Sequence, residues 1–135
     1  MEKKTVLISG GTSGIGLASA RLCARAGMNV VINGRNEKRG LQALHEVEPF
    51  GNVMYVKGDV TAEDDCQRMV EAAVSTFGNL TGVVTSAGYY RQELLENENS
   101  EEIRRIFEVN VFGTVLLCRA AYGALKKHGG SIVII

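Results

Sequence analysis

Short apolar runs recur along this chain, and stretches with helical spacing lie between them. The first run covers residues 5–8, and apolar positions follow at Ile15, Ala18, Leu22 and Ala26, spaced by three, four and four residues. A continuous apolar run is typical of a strand covered on both faces, and the wider spacing is typical of a helix packed on it. The pattern therefore predicts a buried strand and then a helix that buries this stripe.

The same alternation continues to the end of the chain. Further strands are predicted at 28–33, 52–57, 80–85 and 131–135. Between them we expect a short, charged helix with an apolar stripe at Leu41, Leu44 and Val47, a helix at about 61–77 and a long helix at about 100–128. Strands that alternate with helices form parallel sheets, and right-handed crossovers place the helices on both faces. The predicted fold is one α/β domain over residues 1–135, a Rossmann-like doubly wound parallel sheet with strand order 3-2-1-4-5. In such sheets ligands bind where the order reverses, here between strands 1 and 4.

The helix predicted over 61–77 has both a start signal and a buried stripe. Thr61 and Asp64 stand in the relation of a capping box. Apolar residues then recur with helical spacing at Cys66, Met69, Val70, Ala73 and Phe77. We expect this helix to begin at the Thr61 cap and to pack on the sheet.

Composition and charge narrow the classes of function. Lys plus Arg is 15 and Asp plus Glu is 15, a formal net charge of zero, which argues against a general nucleic-acid or membrane surface. We expect no apolar run long enough to span a bilayer, and the first four residues leave no room for a signal peptide. The three cysteines are odd in number and lie at no metal-ligand spacing. We expect reduced thiols, a cytoplasmic protein and no metal site.

A glycine-rich segment, 9–16, joins the first strand to its helix and is the main candidate for chemistry. Gly10 allows a sharp exit from the strand, Gly14 lets the backbone approach a ligand, and Gly16 lets the helix pack closely on the sheet. The free N–H groups and the dipole at a helix N-terminus suit a phosphate. The alternative is a strand-to-helix turn that needs glycine for its geometry alone.

Three more short motifs lie after later strands or in the last helix. These motifs are Asp59-Val60 after the third strand, Ser86-Ala87-Gly88 after the fourth, and Asn110 in the last helix. Together with segment 9–16, which is similar to the pattern T-G-x-x-x-G-I-G, they resemble the amino-terminal, cofactor-binding part of the short-chain dehydrogenase/reductase family. The resemblance covers essentially the whole chain. It implies an oxidoreductase that transfers hydride between a nicotinamide cofactor and a small carbonyl or alcohol substrate.

The resemblance also implies roles for particular residues. Contacts to the cofactor are expected from Gly10, Thr12, Ser13, Gly14, Ile15, Gly16, Asp59, Val60, Ser86, Ala87 and Gly88. Asp59 would accept a hydrogen bond from the adenine amino group, and Asn110 would be catalytic by helping to hold a water in a proton relay. Two alternatives stay open, with Asp59 as an acid that flanks a helix and Asn110 as a structural polar residue. The family's paired asparagines are absent before Ala87, and the Ser86 hydroxyl replaces only part of their bracing.

The end of the second strand bears on the choice of cofactor. Relatives that prefer NAD usually carry an acid there, which binds the ribose hydroxyls. The matching position is Gly34, and Arg35 follows it. A guanidinium takes two phosphate oxygens and stays charged at any working pH, so we predict that Arg35 binds the 2′-phosphate and that NADP(H) is favoured over NAD(H). The alternative is that Arg35 is a solvated charge in a loop that also holds Lys38 and Arg39.

The serine, tyrosine and lysine that perform the family's chemistry have no counterparts in this stretch. The resemblance places them after Ile135, and the Tyr-x-x-x-Lys spacing at Tyr122 and Lys126 falls in the helix before the fifth strand. One hypothesis is therefore the cofactor-binding part of an NADP(H)-dependent oxidoreductase. The other is a nucleotide-binding or regulatory module without the catalytic tyrosine and lysine. Under either hypothesis we expect this polypeptide alone to be inactive.

The last helix and strand predict self-association. Apolar residues in 100–128 span more than one stripe, and strand 131–135 carries neither charge nor proline to block pairing at its edge. The resemblance to the family also implies dimerisation through that helix, because family enzymes use it in this way. We expect a homo-oligomer formed through helix 100–128, strand 131–135, or both.

Overall fold

Five parallel strands form the centre of the computed structural model, which describes residues 2–135. They are β1 (Thr5–Ser9), β2 (Asn29–Gly34), β3 (Val53–Lys57), β4 (Gly82–Thr85) and β5 (Ser131–Ile134). Their order across the sheet is β3-β2-β1-β4-β5, with parallel pairing between neighbours. The predicted fold class and strand order are therefore confirmed, and the order reverses between β1 and β4.

Helices cover both faces of the sheet. They are α1 (Gly14–Arg25), α2 (Glu37–Val47), α3 (Glu63–Phe77), α4 (Ser100–Phe107) and α5 (Gly113–His128). Val6 and Ile8 of β1 belong to the apolar core under α1 and α2, whereas Leu7 belongs to the core under α3 and α5. Successive strand residues point to opposite faces, so one apolar run supplies both cores.

The prediction of which face α1 buries is wrong. The buried residues of this helix are Gly16, Ala20 and Ala24, whereas Ile15 and Leu22 are 61% and 66% exposed. Both sets of residues have helical spacing, so the pattern alone allows either face to point inward. The small residues face the sheet because they let the helix backbone approach β1 and β2 closely. The large side chains are left on the outside.

The capping box predicted for α3 does not form. The residue before the helix is Ala62, which makes no capping hydrogen bond through its side chain. The backbone N–H and the hydroxyl of Thr61 both donate to Oδ1 of Asp59, at 2.9 and 2.8 Å. Asp59 therefore takes the donors that a capping box would have used. The predicted stripe of α3 is nevertheless buried at Cys66, Met69, Val70 and Ala73.

The last predicted helix is present, with a change of winding near its middle. Residues Glu108–Phe112 form a π-helical turn between α4 and α5. Such turns widen the helix by one residue and are frequent at functional sites. On the carboxyl side of the turn, α5 buries Leu117, Ala121 and Leu125 against the sheet and α3.

The same helical stretch corrects one expectation about membranes. By length and composition alone, Ser100–His128 is long and apolar enough to cross a bilayer, with a mean hydropathy of 1.2 over its most apolar window. Core helices of globular proteins satisfy the same criterion. Packing of α5 on the sheet accounts for one apolar side, and the opposite side exposes Phe112, Val115 and Tyr122 by 57%, 57% and 63%.

Candidate functional site

A cavity of about 780 Å³ lies at the carboxyl ends of the strands, where the strand order reverses. Every residue predicted to hold a cofactor lines it except Gly16; these are Gly10, Thr12, Ser13, Gly14, Ile15, Arg35, Asp59, Val60, Ser86, Ala87 and Gly88. The cavity is also lined by residues that the sequence did not single out for this role, namely Asn33, Asn36, Arg39, Gly58, Val109 and Ile135. The fold thus brings three of the four motifs, distant in sequence, around one space together with Arg35.

The glycine-rich segment forms one wall of this cavity. Gly14 has a φ of +53°, which L-residues adopt only with strain, and a Cβ placed on it would meet nothing within 4 Å. A Cβ on Gly16 would overlap the carbonyl oxygen of Gly10, so Gly16 serves close packing beneath the turn. α1 begins here with no side-chain cap and no acid in its first turn. Its first N–H groups and the positive end of its dipole therefore face the cavity uncompensated.

The end of β4 is braced by a residue of β1. The Ala87 N–H donates to Oγ of the buried Ser9 at 3.2 Å, and the Ser86 N–H donates to the Ser9 carbonyl at 3.2 Å. The hydroxyl expected to help at Ser86 makes no hydrogen bond within residues 2–135. Ser9 therefore supplies the bracing that the absent asparagines would give. It was missed because a serine at the end of a strand carries no local signal of its distant partner.

The end of β2 is crowded at Gly34. A Cβ there would lie 2.6 Å from the Thr12 methyl group, so a side chain at this position would require the Thr12 side chain to move. Arg35 and Arg39 both line the cavity beside it. Asn36 caps α2 by accepting the Arg39 N–H at 3.0 Å, which places Arg39 one helical turn beyond Arg35. The Asn36 cap was the sequence signal that could have identified Arg39.

The end of β3 presents one free carboxylate oxygen. Oδ1 of Asp59 accepts both hydrogen bonds from Thr61, whereas Oδ2 makes no hydrogen bond to any residue of 2–135. The Asp59 N–H donates to Oδ2 of Asp65 at 2.8 Å, and Arg68 donates to Oδ1 of Asp65 at 2.9 Å. The bond from the Asp59 N–H, followed by that from Arg68, lowers the pKa of the Asp65 carboxyl. Asp65 therefore stays ionised as an acceptor at neutral pH.

Two smaller hollows adjoin Asp59 and Arg35. One, of about 300 Å³, is lined by Arg35, Lys57, Gly58, Asp59, Asp65 and Arg68. The other, of about 280 Å³, is lined by Arg35, Asp59, Thr61, Arg104, Arg105, Glu108 and Val109. Both mix acidic with basic groups, so charges of both signs surround this end of the cavity.

Asn110 lies beside the cavity rather than in its lining. Its side chain bonds to the backbone of Tyr89, in the loop that follows β4. The Tyr89 hydroxyl donates to Glu102 at 2.6 Å, and the Arg105 guanidinium lies 4.2 Å from the centre of its ring. The hydrogen bond to Glu102 is the main cause that raises the pKa of Tyr89 above its usual range. This tyrosine is thus a neutral donor that links the loop to α4.

The fold and the cavity together define a Rossmann-type domain with an open cavity where its strand order reverses. The model of the short chain dehydrogenase family matches residues 4–135. The chain belongs to this family.

Relatives and a solved structure give the same assignment. The chain is 37% identical over 137 residues to an uncharacterized oxidoreductase of Methylorubrum extorquens, covering 100% of this chain and 55% of that protein. It is 40% identical over 133 residues to the L-fucose dehydrogenase of Mus musculus, covering 98% and 48%. A short-chain type dehydrogenase/reductase from Mycobacterium ulcerans superposes with a TM-score of 0.92 at 34% identity, covering 99% and 51%. The chain therefore spans about half the length of these relatives.

Proposed function

We propose that this chain is the cofactor-binding part of an NADP(H)-dependent oxidoreductase that interconverts a small carbonyl compound and its alcohol. The observation that carries the cofactor choice is at the end of β2. Two guanidinium groups, of Arg35 and Arg39, line the cavity there, and Gly34 carries no acid. Gly34 would not repel a 2′-phosphate, and the phosphate would find two positive charges beside it.

The residues of the cavity fit the parts of such a cofactor. The unpaired N–H groups at the start of α1 suit the pyrophosphate, and the space over Gly14 leaves room for it. The free Oδ2 of Asp59 suits the adenine amino group. Ala87 and Gly88 allow close approach at the far end. When bound, the nicotinamide would supply or accept a hydride, and this chain's own residues would bind and orient it.

A second candidate is a nucleotide-binding or regulatory module. One observation favours it: within residues 2–135, no tyrosine or lysine lines the main cavity. Tyr122 is 63% exposed on α5, and the hydroxyl of Tyr89 is already bonded to Glu102. Neither hydroxyl is therefore placed to exchange a proton with a substrate in the cavity.

We extend the proposal to assembly and location. Exposed apolar side chains on the helix, including Phe107 and Phe112, and on β5, including Val133 and Ile134, favour a homo-oligomer. The three cysteines are free, and burial raises the pKa of the Cys66 thiol to about 11. Unreactive thiols of this kind suit a reducing compartment, and we propose a cytoplasmic protein.

Calorimetric titration of the chain with NADPH and NADH tests the cofactor assignment. The two ligands differ only in the 2′-phosphate, so the wild-type chain should bind NADPH at least about tenfold more tightly. Arg35→Ala should remove that preference and leave NADH binding unchanged. Lys38→Ala is the matched control, because Lys38 is a nearby positive charge at the start of α2 that lies outside the cavity lining. Equal affinity for the two cofactors would overturn the NADP(H) assignment, and no binding of either would overturn the proposed site.

Oxidation of NADPH by added carbonyl compounds tests the nucleotide-binding module. Under either candidate this chain should leave the absorbance of NADPH unchanged with ketones, aldehydes and sugars, because the catalytic tyrosine and lysine have no counterparts in it. Turnover would support the oxidoreductase and would require a proton donor outside the cavity lining.

A further inference from the structure

The peptide unit between Gly58 and Asp59 is held at both of its polar atoms by side chains. The Gly58 carbonyl oxygen accepts a hydrogen bond from Nδ2 of Asn33 at 3.0 Å. On the other side of the same peptide plane, the Asp59 N–H donates to Oδ2 of Asp65 at 2.8 Å. A peptide plane fixed at two opposite atoms cannot rotate, so the direction in which the Asp59 side chain leaves the backbone is fixed too.

Asn33 connects three strand ends through one residue. It is 1% exposed, and its amide nitrogen also donates to the Val56 carbonyl at 3.1 Å. Its own backbone carbonyl accepts the Gly11 N–H at 2.9 Å. Asn33, at the end of β2, therefore holds both the glycine-rich turn and the Gly58–Asp59 peptide in position.

The hydrogen bonds and exposure of Asp65 suit it to holding the Asp59 N–H. Each of its carboxylate oxygens has one partner, the Asp59 N–H or the Arg68 guanidinium, and its side chain is 32% exposed. A hydrogen bond to an ionised acceptor is stronger than one between neutral groups. Thr61 holds the Asp59 side chain separately, through two hydrogen bonds to Oδ1, whereas Asp65 acts on the Asp59 backbone.

We propose that Asn33 and Asp65 are positioning residues that aim the free carboxylate oxygen of Asp59 at the amino group of the adenine base. This inference rests on the proposed function, since it assumes that the adenine end of a nicotinamide dinucleotide binds beside Asp59. Neither residue needs to touch the base. Both act through the Gly58–Asp59 peptide, which makes the site selective for a base that can donate a hydrogen bond.

The test compares two ligands that differ at one group. NADPH is titrated against its hypoxanthine analogue, in which a carbonyl oxygen replaces the adenine amino group. The wild-type chain should prefer NADPH by about tenfold, the usual effect of one hydrogen bond to a charged group. Asp65→Ala should reduce that preference to about threefold or less, because the Gly58–Asp59 peptide then loses one of its two side-chain hydrogen bonds and Asp59 is aimed less accurately.

Matched variants show whether the effect is specific. Asp64→Ala removes a neighbouring acid from the same first turn of α3 and should keep the full preference. Asp65→Asn should keep most of it, because an amide oxygen still accepts the Asp59 N–H. Asn33→Asp loses the donor to Gly58 and should behave like Asp65→Ala. A preference for adenine that survives in Asp65→Ala would overturn the proposal.

A second measurement needs no bound cofactor. Hydrogen exchange at the Asp59 amide should be at least about tenfold faster in Asp65→Ala than in the wild-type and Asp64→Ala chains. Failure of the wild type to bind either cofactor would overturn the proposed function. The exchange rate would still show whether Asp65 holds the Gly58–Asp59 peptide. Equal exchange in all three chains would overturn that role of Asp65 whatever the cofactor result.

Discussion

The side-chain amide of Asn110 forms two hydrogen bonds with the backbone of Tyr89, one in each direction and each 2.8 Å long. The Tyr89 N–H donates to Oδ1, and Nδ2 donates to the Tyr89 carbonyl. The π-helical turn presents the amide to the loop that follows β4, at the rim of the cavity. Since both amide atoms are already bonded, the side chain acts on the loop, and the proton-relay role of Asn110 stays a prediction.

Replacing Asn110 should loosen this loop. Asn110→Ala removes both hydrogen bonds and should lower the free energy of unfolding by about 1 to 2 kcal/mol in urea titrations. Asn110→Asp keeps an acceptor for the Tyr89 N–H but loses the donor to the Tyr89 carbonyl. Its free energy of unfolding should therefore lie between those of the wild type and Asn110→Ala. Glu108→Ala, on the same turn, should change stability by less than about 0.5 kcal/mol. Equal stability of all four chains would show that the pair does not contribute to folding.

Two glycines of the turn should respond differently to alanine. Gly16→Ala forces a Cβ onto the Gly10 carbonyl oxygen and should cost about 3 kcal/mol of folding stability. Gly14→Ala costs only the strain of its positive φ, about 1 kcal/mol, because the added methyl group meets no protein atom within 4 Å. That methyl group would stand in the cavity, so NADPH affinity should fall by about tenfold or more. Urea titration and calorimetry measure the two effects, and unchanged affinity of Gly14→Ala would place the ligand elsewhere.

The ionisation of Tyr89 should be detectable in alkaline solution. Its hydrogen bond to Glu102 raises its pKa, so the folded state favours the neutral phenol. The resulting stabilisation is fully present below the pKa of an unfolded tyrosine, about 10, and is lost as the pH rises through the higher folded value. The difference between absorbance titrations of wild type and Tyr89→Phe should have its midpoint above about 10. A midpoint at or below that value would contradict the hydrogen bond.

Self-association should depend on the exposed side of the last helix. Sedimentation of the wild type at micromolar concentration should give a mass above that of one chain. The double variant Phe112→Ser with Val115→Ser should shift the distribution towards monomer, because it removes large apolar side chains from that surface. Leu22→Ser is the control, since Leu22 is equally exposed but lies on α1, across the sheet. A monodisperse wild-type monomer would exclude association through either surface.

Much of the fold follows from the sequence because the signals are local. Continuous apolar runs define the strands, and the helical stretches between them require parallel crossovers, from which the strand order and the position of the cavity follow. The Gly10, Gly14 and Gly16 pattern locates the glycine-rich turn for the same reason. Each of these signals depends on residues within a few positions of one another.

The tertiary structure decided what depends on distant partners. In α1, two sets of apolar positions share the helical period, and only docking on the sheet showed that Gly16, Ala20 and Ala24 face inward. The Asn33–Gly58 and Asn110–Tyr89 hydrogen bonds join residues 25 and 21 positions apart. Such pairs depend on strand register and helix placement, which no local pattern encodes. The sequence alone therefore determined the family, the sheet and the place of the cavity, whereas the packed structure decided which side chains hold the strand ends around that cavity in shape.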